Sequence, residues 1–144
     1  MNVIRWQALA IAALMPLTAA ACSKVAASES SYEDPATLTE VEGSDLMQVT
    51  FTDRAVERIG IETQVLVDGP DGKVIPYSAL LYDPDGTNWV FTQIKPGTFL
   101  RVPISVVTVR GEEVILSDGP AAGTEVVSVG VSELYGAEHG LGAH

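Results

Sequence analysis

The sequence predicts an all-β fold: a small barrel or sandwich of about seven to nine short strands, with one short helix near its start. Two observations carry this. Between Leu46 and Glu133, 29 of 88 residues are Val, Ile or Thr, whose branched Cβ atoms suit a pleated strand better than a helix. Turn signals recur at short spacing through the same stretch: Asp68-Gly69-Pro70-Asp71-Gly72, Asp83-Pro84-Asp85-Gly86, Lys95-Pro96-Gly97, Arg110-Gly111 and Asp118-Gly119-Pro120. Short apolar runs punctuated in this way read as strands joined by tight turns.

The first strand is Met47–Phe51, with Met47, Val49 and Phe51 on one face and Gln48 and Thr50 on the other. The alternation then breaks. Thr52 can cap a short helix over Asp53–Ile59, Gly60 can close it, and Asp53 and Glu57 suit its positive start. Val56 and Ile59, three residues apart, face inward. Residues 61–67 follow as a strand with Ile61, Thr63, Val65 and Val67 sharing a face. Further strands are expected at residues 74–76, 79–82, 89–94, 99–102, 104–110, 113–116 and 125–131. Apolar neighbours on both faces, as at Val106-Val107, Val114-Ile115-Leu116 and Val126-Val127, mark strands covered on two sides. Trp89 and Phe91 alternate onto one face and read as core.

The flanks are of a different kind. Residues 1–21 have one charged side chain, Arg5, then an apolar stretch from Ala8 to Met15 and a run of small residues. That order is a secretory signal peptide, too short in its apolar part to span a bilayer. The Ala19-Ala20-Ala21-Cys22 segment resembles the lipobox of bacterial lipoproteins, although that pattern favours Leu where Ala19 stands. The resemblance implies a lipid on Cys22, the only cysteine, and an exported protein anchored in the cell envelope. The alternative is an ordinary signal cut at the same bond. Residues 22–45 carry six acids and one Lys with no sustained apolar period, so a flexible acidic linker is expected there, spanning roughly 25 Å root-mean-square. The domain then occupies residues 46–133. Residues 134–144, rich in glycine, form a tail with a short ordered start and a frayed end.

Charge and composition exclude several functions. The 144 residues hold 8 basic and 19 acidic side chains, a formal net charge of −11, which argues against nucleic acid as a partner. A single cysteine excludes an internal disulfide framework and a Cys-rich zinc site. Both histidines, His139 and His144, lie in the tail, away from any Ser or Thr of the strand region that they could activate. Asp83-x-Asp85-Gly86 departs from a calcium-binding loop, because its glycine stands at the fourth position rather than the sixth. Glu112-Glu113 follows Arg110-Gly111 and reads as an exposed hairpin turn. No catalytic residue, cofactor or metal site is therefore expected, and the chain reads as a non-enzyme.

Two longer segments carry a resemblance. The first, residues 49–66, is VTFTDRAVERIGIETQVL. The second starts at Lys73 and includes Ile75-Pro76-Tyr77-Ser78-Ala79-Leu80, Trp89-Val90-Phe91, Pro103-Ile104-Ser105-Val106, and Gly119-Pro120-Ala121-Ala122-Gly123-Thr124-Glu125-Val126-Val127-Ser128-Val129-Gly130. In this order they resemble the membrane-proximal domain of the periplasmic adaptor (membrane fusion) subunits of resistance-nodulation-division efflux pumps, with Pro120 where that family carries Leu. In such adaptors a second barrel, a lipoyl-like domain and a helical hairpin separate the two segments. Here five residues, 68–72, replace them.

The resemblance implies a standalone platform domain on a lipid anchor, accessory to an efflux transporter, with a pump or adaptor subunit as partner. Loop tips and the region of Leu134 and Tyr135 are the contact surfaces it suggests. The competing reading is an envelope lipoprotein that binds a small ligand or metal, for which a concave pocket with converging polar groups is the signature.

Overall fold

The computed structural model describes residues 33–140. The expected signal peptide, Cys22 and His144 lie outside the described residues. The described part is all-β, with ten strands and two helices: β1 (Ala36–Glu40), β2 (Met47–Phe51), α1 (Asp53–Ile59), β3 (Glu62–Val65), β4 (Val67–Gly69), β5 (Gly72–Pro76), β6 (Leu81–Tyr82), β7 (Asn88–Lys95), β8 (Thr98–Arg110), β9 (Glu113–Asp118), β10 (Glu125–Val129) and α2 (Val131–Glu138). One 3-10 turn, Tyr77–Ala79, joins β5 to β6.

The sheet runs β3-β10-β7-β8-β9-β5-β4 and curls into a half-barrel, with β2 laid beside the start of β8, β1 beside β2, and β6 beside β7. Strand β8 makes the curl. Its first half pairs with β7, from Lys95↔Thr98 to Asn88↔Ile104, and its second half with β9, from Ser105↔Asp118 to Arg110↔Glu113. The register with β9 shifts between Ser105 and Val106 and again between Val106 and Thr108. An extra residue on one strand of a pair bends that strand and raises its twist, so the strand leaves one sheet and enters the other. The sequence pattern suggested two strands divided near Pro103. The chain instead continues as one, with Pro103 exposed and opposite Trp89.

Two cores result, one on each side of the β10-β7-β8 strands. Inside the curl, Leu66, Ile75, Val90, Val114, Leu116 and Val126 pack together. On the outer side, Val49, Phe51, Phe91, Phe99, Val127 and Leu134 pack beneath the two helices. Adjacent residues therefore serve opposite cores, Val90 with Phe91 and Val126 with Val127. Phe51 and Phe99 meet with ring centroids 6.3 Å apart at an interplanar angle of 57°, within the range of favourable tilted aromatic pairs. Burying one such large apolar side chain contributes about 1.5–3 kcal/mol.

Helix α1 forms as its ends dictate. The Thr52 hydroxyl accepts from the Ala55 amide at 3.2 Å, and Gly60, at φ 73°, donates its amide to Val56. A cap of this kind is worth about 1 kcal/mol.

Three expectations need correction. The flexible linker does not reach residue 45: Ala36–Glu40 is β1, paired with β2 from Ala36↔Phe51 to Glu40↔Met47. The backbone ladder holds this strand while its side chains stay mostly exposed, so it carries no apolar signature. The strand expected over residues 125–131 ends at Val129, and the ordered start expected of the tail belongs to a helix, α2, over residues 131–138. The strand at residues 61–67 breaks at Leu66. Its amide donates to Thr124 and its carbonyl accepts from Gly123, which turns its side chain into the inner core and points Val65 and Val67 outward.

Candidate functional site

Two regions carry groups whose placement calls for explanation. The first lies between α2 and the sheet, and Arg101 is its centre. Arg101 Nη1 donates to Asp83 Oδ2 at 2.5 Å and Arg101 Nε to Glu138 Oε1 at 2.9 Å. The Tyr135 hydroxyl donates to Asp83 Oδ1 at 3.3 Å, and the guanidinium lies 4.5 Å from the Trp89 ring centroid, a cation–π distance. The side chains of Arg101 and Glu138 are 11% and 3% exposed. Charges that far from water hold only when paired and hydrogen-bonded.

The surroundings shift the ionisation of both donors. Burial alone would pull the Arg101 guanidinium down, but the hydrogen bonds and charges of Asp83 and Glu138 outweigh it and raise it above its ordinary value. The Tyr135 hydroxyl is raised by desolvation and then by the neighbouring Asp83 carboxylate. Each carboxylate faces a cation, so neither is a free general base. Glu138 Oε2 and Trp89 Nε1 have no hydrogen-bond partner among the described residues. The arrangement is a latch: an ion pair from β8 to α2, extended to the β6–β7 turn, that fastens the C-terminal helix over Phe91, Phe99 and Val127.

Asp83 reaches this latch from the turn that the sequence marked. Gly86 donates to the Asp83 carbonyl at 2.9 Å, and the Thr87 amide to Asp85 Oδ1 at 2.7 Å. The Asp85 carboxyl is held below its ordinary value by the hydrogen bonds from Thr87. The segment is thus a tight turn, with Asp83 directed at Arg101.

The second region is a groove of about 460 Å3 on the opposite flank, where the half-barrel fails to close. Val65, Val67, Val74 and Tyr77 line it together with Gln64, Ser78, Glu112 and Glu113. The Glu112 carbonyl accepts from the Tyr77 amide at 2.7 Å, which fixes the β8–β9 turn beside the 3-10 turn. Glu112-Glu113 is the exposed hairpin turn the sequence indicated.

The sequence-chosen residues divide. Leu134 is fully buried in the outer core and offers no contact surface. Tyr135 is half-buried and engaged with Asp83, its ring tilted against His139 at 4.2 Å between centroids. Local packing accounts for both, because the helix they sit on lies flat on the sheet. His139 Nδ1 lies 2.9 Å from the Tyr135 carbonyl. Among the described residues no three His, Cys, Asp or Glu side chains converge as metal ligands, and Cys22 lies outside those residues. Sequence reasoning missed the Arg101 latch, whose members are scattered between residues 83 and 138, and the groove, whose valines follow an ordinary strand pattern.

Comparison with protein-family models, with curated proteins and with solved structures finds no match to this chain. The fold and these two regions define it as an all-β half-barrel domain with a latched C-terminal helix and an open seam.

Proposed function

We propose that this chain is a non-enzymatic, lipid-anchored envelope protein that acts as an accessory or binding partner of an efflux transporter. The observation that carries the reading is how the two adaptor-like segments meet. β2 and β3 of the first pair with β8 and β10 of the second. The connection between segments is a hairpin, Val67↔Val74 to Gly69↔Gly72, with only Pro70 and Asp71 at its tip. Gly72 sits at φ 138°, and a Cβ there would lie 2.4 Å from the Leu116 carbonyl oxygen, so the short turn is built into the packing. A chain that closes on itself in place of the missing modules is what a standalone membrane-proximal platform requires. In the adaptor family that domain rests against the pump.

The anchor and the partner are tested separately. Mass spectrometry of the mature N-terminus is expected to find an acylated Cys22, and an unmodified thiol there removes the anchor. Purification of the tagged full chain from detergent-solubilised envelopes is expected to bring a transporter or adaptor subunit with it. Recovery of neither counts against the partner. The competing reading, a carrier of a small ligand, is favoured by the groove volume of about 460 Å3, which falls in the range of ligand pockets. It predicts an ordinary small molecule retained through purification, detectable by native mass spectrometry.

A further inference from the structure

We infer that the open seam between β3 and β5 is a docking groove for an extended, cationic peptide segment of a partner protein. This deepens the reading of the domain as a binding module but depends on neither its anchor nor a particular transporter.

The argument starts from the sheet. β3 pairs with β10 and β4 pairs with β5, so these two strands end the sheet path. β3 and β5 approach each other with no ladder between them. β4 covers β5 only through Gly72–Val74, and Ile75 and Pro76 lie beyond its register, paired on one side with Val114 and Glu113 of β9. The groove lies at this gap. Exposed strand edges invite another strand, and natural domains usually blunt them with charge, proline or a covering element. Pro76 is present, yet Val65, Val67 and Val74 stand among the groove's lining residues.

The side chains state what would fit. Val65, Val67 and Tyr77 are 53%, 51% and 48% exposed, and all three line the groove. An occupant with alternating apolar groups would remove them from water, at about 25 cal/mol for each Å2 buried. The carboxylates lining the groove are Glu112 and Glu113, and no Lys, Arg or His is among its lining residues. Tyr77 also faces Tyr82, whose hydroxyl is raised above its ordinary pKa by desolvation and then by Tyr77. Exposed valines with two carboxylates in the same lining complement a strand whose apolar side chains alternate with cations, the mode in which an added strand supplies backbone bonds and alternate pockets supply specificity.

The test uses the 15N-labelled full-length chain in a non-ionic detergent and an end-capped hexapeptide of alternating valine and lysine. Its counterpart replaces lysine with glutamate. Titration of the lysine peptide is expected to shift amide resonances of β3, of Ile75, Tyr77 and Ser78, and of the β8–β9 turn, and to leave α2 unmoved. The E112Q/E113Q double variant is expected to bind about tenfold more weakly, and added salt to weaken binding of the unaltered chain. V67S, which keeps the charge, is expected to bind more weakly as well. Shifts spread over the whole acidic surface, equal binding of the glutamate peptide, or binding unaffected by all three substitutions overturn the inference. So does concentration-dependent shifting of the groove residues without peptide, which would make a second copy the occupant. A transporter recovered from envelopes without any groove binding would refute the groove and leave the proposed function standing.

Discussion

The latch and the seam are opposite solutions to the same requirement, the covering of a curled sheet's apolar surface. On the outer side, residues 131–138 form a helix that buries Leu134 and is held through Arg101 to Asp83 and Glu138. At the seam Val65, Val67 and Tyr77 stay about half exposed among the described residues, and two exposed carboxylates, Glu112 and Glu113, share their groove. The covered side binds its polar groups to one another over long sequence distances. The open side leaves its groups available. The domain buries its charged cluster on one flank and leaves apolar side chains half in water on the other.

The contrast is broken most severely at Arg101. Arg101→Met should lose about 3–5 kcal/mol in urea unfolding, because it strands the Glu138 carboxylate away from water. Adding Glu138→Gln to that variant should recover part of the loss, and full additivity of the two would mean the pair does not act as a unit. Leu134→Ala should cost about 2–5 kcal/mol by leaving a cavity under α2, read by the same unfolding curves. Thr52→Ala, at the start of α1, should cost about 1 kcal/mol.

At the exposed flank the same measurement should respond little. Arg110→Ala removes an ion pair with Asp71 at 2.7 Å whose side chains are 60% and 54% exposed, and should change stability by less than about 1 kcal/mol. Val67→Ser should stay within about 0.5 kcal/mol of the parent. A large destabilisation by either would place the seam among the load-carrying parts of the fold.

Asp85 supplies a pH test of the turn that feeds the latch. Its folded-state pKa is depressed by the Thr87 hydrogen bonds. Its contribution is therefore fully present above the ordinary aspartate range and is lost as pH falls through the depressed folded value. Titration of the Asp85 side chain by NMR should show a midpoint below that of an unstructured aspartate, and Asp85→Ala should remove the corresponding acid-side slope in stability.

The sequence disclosed what local chemistry controls. β2 and α1 are where Met47–Phe51 alternation and the Thr52 and Gly60 caps put them, because those signals lie within a few residues of their effects. The short helix expected near the start is present, and α2 adds a second at the end. That helix was hidden because Gly130 begins it without a side-chain cap and Gly136, a poor helix former, lies inside it. It exists through tertiary contacts, chiefly Leu134 in the core and Glu138 on Arg101. The inverted phase at Leu66 was hidden for a related reason. Val65 and Val67 satisfy strand alternation on either face, and only the backbone bonds of Leu66 to Gly123 and Thr124 choose between them. The groove inherits that choice: Val65 and Val67 in its lining owe their exposure to a segment far along the chain.

The central claim, that the seam rather than the helix-covered flank meets the partner, is tested by placing a photocrosslinking phenylalanine analogue at position 67 or, separately, at position 129 of the full chain in living cells. Val129 is also exposed but lies on β10, away from the groove lining. Crosslinking from position 67 to a transporter or adaptor subunit, diminished by E112Q/E113Q and absent from position 129, is the result predicted. Crosslinks from position 129 alone, or from position 67 regardless of the two glutamates, would contradict it.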